Sequence, residues 1–95
     1  MDIQKIQHDN DSKHRFYVNN EAGKTLAEMT YTWAGSDKFI IDHTHVDDSL
    51  RGTGTGKQLV YAAVDYAREK NLKIIPLCPF AKVVIHKDKS LQDVL

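Results

Sequence analysis

The sequence predicts an α+β domain: an antiparallel meander of about four strands, then a parallel fifth strand reached through a helix, with a further helix at the C-terminal end. Three observations carry this. The stretches N-N-E-A-G-K (19–24) and A-G-S-D-K (34–38) have turn chemistry and separate runs of strand length; such short connections join antiparallel neighbours. The apolar period changes from alternation to three- and four-residue spacing at about Thr55. Strand, glycine-rich loop, helix and strand then follow in the order of a βαβ unit, whose crossover is right-handed.

The elements follow in order. Residues 2–8 are a short, mostly polar strand candidate, and H-R-F-Y-V (14–18) is a stronger one. In L-A-E-M-T-Y-T-W (26–33) alternation puts Ala27, Met29, Tyr31 and Trp33 on one face, with Tyr31, Trp33 and the later Phe39 assigned to the core. The fourth strand is F-I-I-D-H-T-H-V (39–46). From Thr55, residues Leu59, Val60, Ala63, Val64 and Ala67 form a wide apolar helix face, and Asn71 after R-E-K is the expected C-terminal cap. K-I-I-P-L-C (73–78) reads as the fifth strand. Pro76 cannot donate to a ladder, so this strand is expected to lie at an edge or to have one side unpaired. An uncovered edge strand is available to pair with a second copy. Pro79 begins a short helix over 80–87, and S-L-Q-D-V-L (90–95) adds a turn.

Composition narrows the function classes. Ninety-five residues, 41% hydrophobic and 27% charged, suit one globular domain spanning 1–95. Thirteen basic residues balance thirteen acidic ones, so charge gives no reason to expect a nucleic-acid or membrane-surface partner. A single cysteine, Cys78, cannot form an internal disulfide, the N-terminus has no apolar signal core, and no stretch has membrane-spanning length. The expectation is a cytoplasmic protein.

The distinctive stretch is R-G-T-G-T-G-K (51–57), which stands between the fourth strand and the long helix. Glycines at a helix N-terminus expose unpaired N–H groups beside the positive end of the helix dipole, an anion site. A Walker A loop fails because Arg51 stands where its first glycine belongs and Gln58 where Ser or Thr is required. The dinucleotide pattern fails because neither Gly52 nor Gly54 has a glycine five residues on. What fits is [Q/R]-x-x-G-x-[G/A], through Arg51, Gly54 and Gly56.

V-D-D-S-L-R-G-T-G-T-G-K-Q-L-V (46–60) resembles the acetyl-CoA-binding motif of the GNAT superfamily of N-acetyltransferases. Together with H-T-H-V (43–46) and L-C-P-F (77–80), it resembles a subfamily of very small GNAT-like domains, over roughly residues 39–82. The resemblance implies a minimal GNAT-like fold whose fourth and fifth strands splay at their C-terminal ends and admit the pantetheine arm. It implies hydrogen bonds from that arm to main chain at Thr44, His45 and Val46. The diphosphate would lie on N–H groups of Arg51, Gly52, Thr53, Gly54, Thr55 and Gly56, with Lys57, Cys78, Pro79, Phe80 and Lys82 as further cofactor contacts. Acetyl-CoA is the implied acyl donor. The acceptor is undetermined: a small amine, a polyamine or a protein amine.

For the chemistry, His43 and His45 share a face of the fourth strand and are candidate general bases, since imidazole titrates near neutrality; their alternative is a polar hydrogen-bonding patch. His43, His45 and Asp47 also have one parity, but without a fourth ligand no metal site is predicted. Cys78 is either a small core residue or a thiol beside the thioester, open to an acetyl-cysteine intermediate. Lys57, Lys82, His86 and Lys87 are available to the 3′-phosphate or adenine, or are solvated helix faces. Asp47 and Asp48 are expected to point outward and shape the strand exit. The last tyrosine, Tyr66, lies within the long helix, which leaves the GNAT acid position empty. Two functions follow: acetyl transfer, or a non-catalytic acyl-CoA-binding module.

Overall fold

The computed structural model describes residues 6–95. Five strands run in spatial order β1-β2-β3-β4-β5: β1 Gln7–Asp9, β2 Arg15–Asn19, β3 Thr25–Trp33, β4 Lys38–Val46 and β5 Lys73–Pro76. The first four are antiparallel, and β5 runs parallel to β4. Helix α1 (Thr55–Lys70) makes the crossover and α2 (Pro79–Lys87) follows β5; short 3-10 helices cover Asp48–Leu50 and Lys89–Val94. The α+β class and topology match the expectation.

Boundaries moved where local chemistry decided them. The first strand is the short segment Gln7–Asp9, and residues 2–5 of the expected strand lie outside the described residues. The fifth strand ends at Pro76 instead of Cys78. After proline, which has no N–H, the Cys78 N–H donates to Ile41 O at 3.0 Å and the chain turns into α2, with Cys78 as its N-cap and Pro79 in its first turn. Helix α1 ends as predicted at Asn71, whose left-handed φ of 57° lets its N–H reach the Ala67 and Arg68 carbonyls.

One cluster of buried residues joins the inner sheet face to both helices: Phe16, Val18, Ala27, Met29, Tyr31, Phe39 and Ile41 from strands, with Leu59, Val60, Ala63, Val64 and Ala67 of α1 and Ala81, Val84 and Ile85 of α2. Trp33 packs only partly buried at its margin. Within β4 the register slips: Tyr31 faces Ile41 but Thr30 faces His43, leaving Asp42 without a partner on β3. A one-residue bulge reverses which residues point inward. Phe39 and Ile41 therefore point into the core, and beyond Asp42 it is Thr44 and Val46 that sit on the inner face opposite Met29 and Ala27.

The N-terminal strand is held by an aromatic and polar cluster. The His8 ring stacks on Phe16 at 4.1 Å and meets Tyr66 edge-on at 4.5 Å. Its Nε2 lies 2.6 Å from the Tyr31 hydroxyl. Asn10 Oδ1 accepts from Tyr31 Oη and Trp33 Nε1, each at 2.9 Å. Desolvation outweighs the neighbouring Asp9 charge and holds the His8 pKa below its ordinary value. The folded state thus favours neutral imidazole, so this contribution to stability is present above the unfolded value of about 6.5 and is lost as pH falls below it toward the folded pKa. An NMR titration of the His8 ring should show a midpoint below 6.5; a midpoint above it contradicts the packing described.

Candidate functional site

The site begins where β4 and β5 part. Their ladder runs from Lys38–Lys73 to Ile41–Pro76 and closes with the Cys78 N–H on Ile41 O. From His43 to Val46, β4 is paired with β3 alone. The strands are nine and four residues long, and the short one turns away into α2. Beyond the fork lies a cleft of about 540 Å³ lined by Thr44, His45, Val46, Asp47, Asp48, Arg51 and Phe80. A hollow of about 350 Å³ over the glycine loop adjoins it and shares Val46, Arg51 and Phe80 with it.

The loop divides its labour between residue types. Thr53 Oγ1 donates to Leu50 O and lies 2.6 Å from Thr55 Oγ1, whose residue is buried. The threonine hydroxyls therefore brace the loop from within. Gly52 and Gly54 take φ of 81° and 80°, which glycine adopts without strain. Gly56 is glycine for another reason: a Cβ there would stand 2.7 Å from Cζ of Phe80, whose ring rests on it. Among the described residues, the N–H groups of Gly52, Gly54, Gly56 and Lys57 have no hydrogen-bond acceptor. They open at the positive end of sixteen-residue α1. This arrangement can hold an anion of diphosphate size.

Asp47 caps the 3-10 turn, its Oδ2 accepting from Ser49 N and Oγ at 3.0 and 2.6 Å; those bonds hold its carboxyl below the usual carboxylate range. Asp48 pairs with Arg51 Nε at 2.8 Å, both side chains well exposed. Both aspartates line the open cleft at the end of β4, and the Asp48 side chain is 88% exposed. A cap (D-x-S) was readable at Asp47; the Asp48–Arg51 pair depends on how the loop turns.

Cys78 is 4% exposed and its Sγ donates to Thr44 Oγ1 at 3.2 Å. Thr44 lines the cleft, so the thiol sits one side chain behind the wall. His43 and His45 do share a face, but the bulge at Asp42 turns it away from Cys78, to the sheet surface opposite the helices. Both are exposed there, and His45 also borders the cleft. The carboxylate paired across from His45, Glu28, is engaged by Arg15 Nη1 at 2.5 Å. Among the described residues no tyrosine lines the cleft, and Tyr66 packs near His8, Phe16 and Phe39. Among the described residues, no group of three or more His, Cys, Asp or Glu is placed to hold a metal ion and no helix is long and apolar enough to cross a membrane.

Pro79 and Phe80 open α2 and Lys82 lies exposed one turn on; Phe80 alone of these lines the cleft. Lys57 borders the loop hollow.

Comparison with known proteins places this architecture. Residues 15–94 match the family model described as GCN5-related N-acetyl-transferase. Protein NATD1 of Xenopus tropicalis is 31% identical over 74 residues, which are 78% of this chain and 67% of that protein. The solution structure of a GCN5-like protein from Staphylococcus aureus superimposes with a TM-score of 0.77 at 42% identity, covering 99% of this chain and 89% of that one. The Escherichia coli GNAT family N-acetyltransferase YhbS, crystallised with CoA, shares the fold at a TM-score of 0.56 and 22% identity, over 66% of this chain and 38% of that one. The chain therefore belongs to the GCN5-related N-acetyltransferase family.

Proposed function

We propose that this protein binds acetyl-coenzyme A across the cleft and loop hollow and transfers the acetyl group to an amine. The observation that carries the reading is the fork itself: β4 loses its parallel partner after Ile41, immediately beside four free N–H groups at the start of α1. The diphosphate lies on the loop between Gly52 and Lys57, near the Arg51 guanidinium. The pantetheine arm takes the place of a strand along Thr44, His45 and Val46, hydrogen-bonding main-chain groups that β5 leaves unpaired. YhbS in complex with CoA shows that the shared fold accommodates this ligand in one member.

In the transfer, the amine nitrogen attacks the thioester carbonyl, the C–S bond breaks, and the proton lost by the amine ends on the departing CoA sulfur. A β4 N–H serves the oxyanion. In this reading His45 takes the proton, supported by its exposure and its position at the cleft border. The Thr44–Cys78 contact supports a second route. The Cys78 thiolate displaces CoA, which leaves protonated, and the amine then attacks the acetyl-cysteine and regenerates the thiol. This route requires Thr44 to swing aside. Among the described residues no tyrosine lines the cleft wall, which supports the competing reading, a module that binds acyl-CoA without turnover.

Titration with CoA, followed by amide NMR, is expected to shift residues 44–46 and 52–57; perturbations confined elsewhere defeat the proposed placement. Incubation with acetyl-CoA, read by mass spectrometry, separates the routes. An acetyl adduct that disappears in Cys78→Ala supports the cysteine route. Amine acetylation retained in that variant supports direct transfer, and saturable binding with neither supports the module.

A further inference from the structure

The fork between β4 and β5 has two sides. On the inner side it is filled: Cys78 Sγ meets Thr44 Oγ1 at 3.2 Å, and the Phe80 ring rests on Gly56. The outer side, opposite the helices, carries an apolar strip. Ile40 and Ile75 pair one rung before the ladder ends at Ile41–Pro76. Their neighbours Phe39, Ile41 and Ile74 are buried in the core, so alternation sends Ile40 and Ile75 to the outer face, where both are only partly buried. Leu77 follows at the fork itself. Its N–H turns back to Ile75 O at 3.1 Å, while the next residue, Cys78, is buried and donates to Ile41 O. Leu77 is left 65% exposed, the most exposed large apolar side chain among the described residues. One exposed leucine is ordinary; this one extends an apolar pair to the point where β4 loses its partner. On the same face, Asp42 Oδ2 accepts from Thr32 Oγ1 at 2.6 Å, and beyond Asp42 the exposed His43 lies opposite Thr30.

We infer that this strip is the acceptor subsite, that it receives a primary amine carried on an unbranched aliphatic stem, and that Leu77 sets the preference for stem length. The subsite presupposes the acetyl transfer proposed above. With the inner side filled by Thr44, Cys78 and Phe80, a thioester held between the strands is open to attack from the outer side. A stem lying along Ile40, Ile75 and Leu77 brings its amine to the fork, and the Asp42 carboxylate gives an incoming ammonium its counter-charge. The amine then forms the new C–N bond, the C–S bond breaks, and the amine proton ends on the coenzyme A sulfur. Contact between stem and strip is the same before and during that step, so it lowers KM and leaves kcat.

The experiment measures kcat/KM for acetylation of ethylamine, butylamine and hexylamine, with acetyl-CoA as donor, in the wild-type chain and in Leu77→Ser. Each methylene laid on the strip should raise the wild-type value about two- to fourfold, through KM. In Leu77→Ser the ratio of hexylamine to ethylamine should collapse toward one, while coenzyme A affinity by calorimetry stays at the wild-type value and reports a folded variant. A wild-type kcat/KM that does not depend on stem length, or the same length dependence in Leu77→Ser, overturns the subsite and leaves acetyl transfer standing. Retained coenzyme A binding with no acetylation of any amine in wild type overturns the transfer reading, and the subsite with it.

Discussion

Gly54→Glu is expected to abolish coenzyme A binding, with the loss read directly by calorimetry. Gly54 caps α1 with a φ of 80°, and an added Cβ there would meet nothing within 4 Å. A side chain at this position is therefore strained but not blocked, and Gly54→Ala serves as the control. Left-handed backbone costs a non-glycine residue roughly 1–2 kcal/mol. The glutamate adds a second effect, a negative charge projecting beside the N–H groups that receive the diphosphate. At about 4 Å and an effective dielectric of about 20, like charges repel by roughly 4 kcal/mol, near a thousandfold in affinity. The alanine variant should keep measurable binding and the glutamate variant none. Equal affinities in the two variants would remove the diphosphate from this loop.

Phe39→Ala should cost about 3–5 kcal/mol of folding stability. The side chain is fully buried and packs against Tyr31 at 4.9 Å, Trp33 at 5.8 Å and Tyr66 at 6.1 Å between ring centroids. The surrounding rings can collapse only partly into the space left behind. Against a total stability of about 5–15 kcal/mol, the variant approaches unfolding at ambient temperature. A chain of this length should lose roughly 15–30 °C in Tm. The measurement is thermal or urea unfolding followed by circular dichroism. A change under about 1 kcal/mol would mean that the site repacks, contrary to the rigid aromatic cluster seen here.

Much of this was legible in the residues because the signals are local. The alternation through Ala27, Met29 and Tyr31, the helical stripe from Leu59 to Ala67 and the cap at Asn71 each depend on neighbours a few positions away. Pro76 announced the end of ladder donation, although it stops β5 two residues before the predicted end. The glycine loop was legible as an anion site, yet its glycines serve two purposes. Two supply positive φ, while Gly56 makes room for the Phe80 ring, a partner twenty-four residues away that no local pattern reveals.

The candidate chemistry was less legible for the same reason. Strict alternation from Phe39 and Ile41 carries His43 and His45 to the inner face, beside the helices. The unpaired Asp42 breaks that parity, so Thr44 meets Cys78 and the histidines face solvent. Pairing with β3 sets that bulge, and β4 in isolation carries no mark of it. The sequence by itself determined the elements, their order and the loop that presents free N–H groups, because propensity, capping and period act within a few residues. Only the tertiary structure decided which side chains share the cleft, because a one-residue slip between strands reverses every face beyond it.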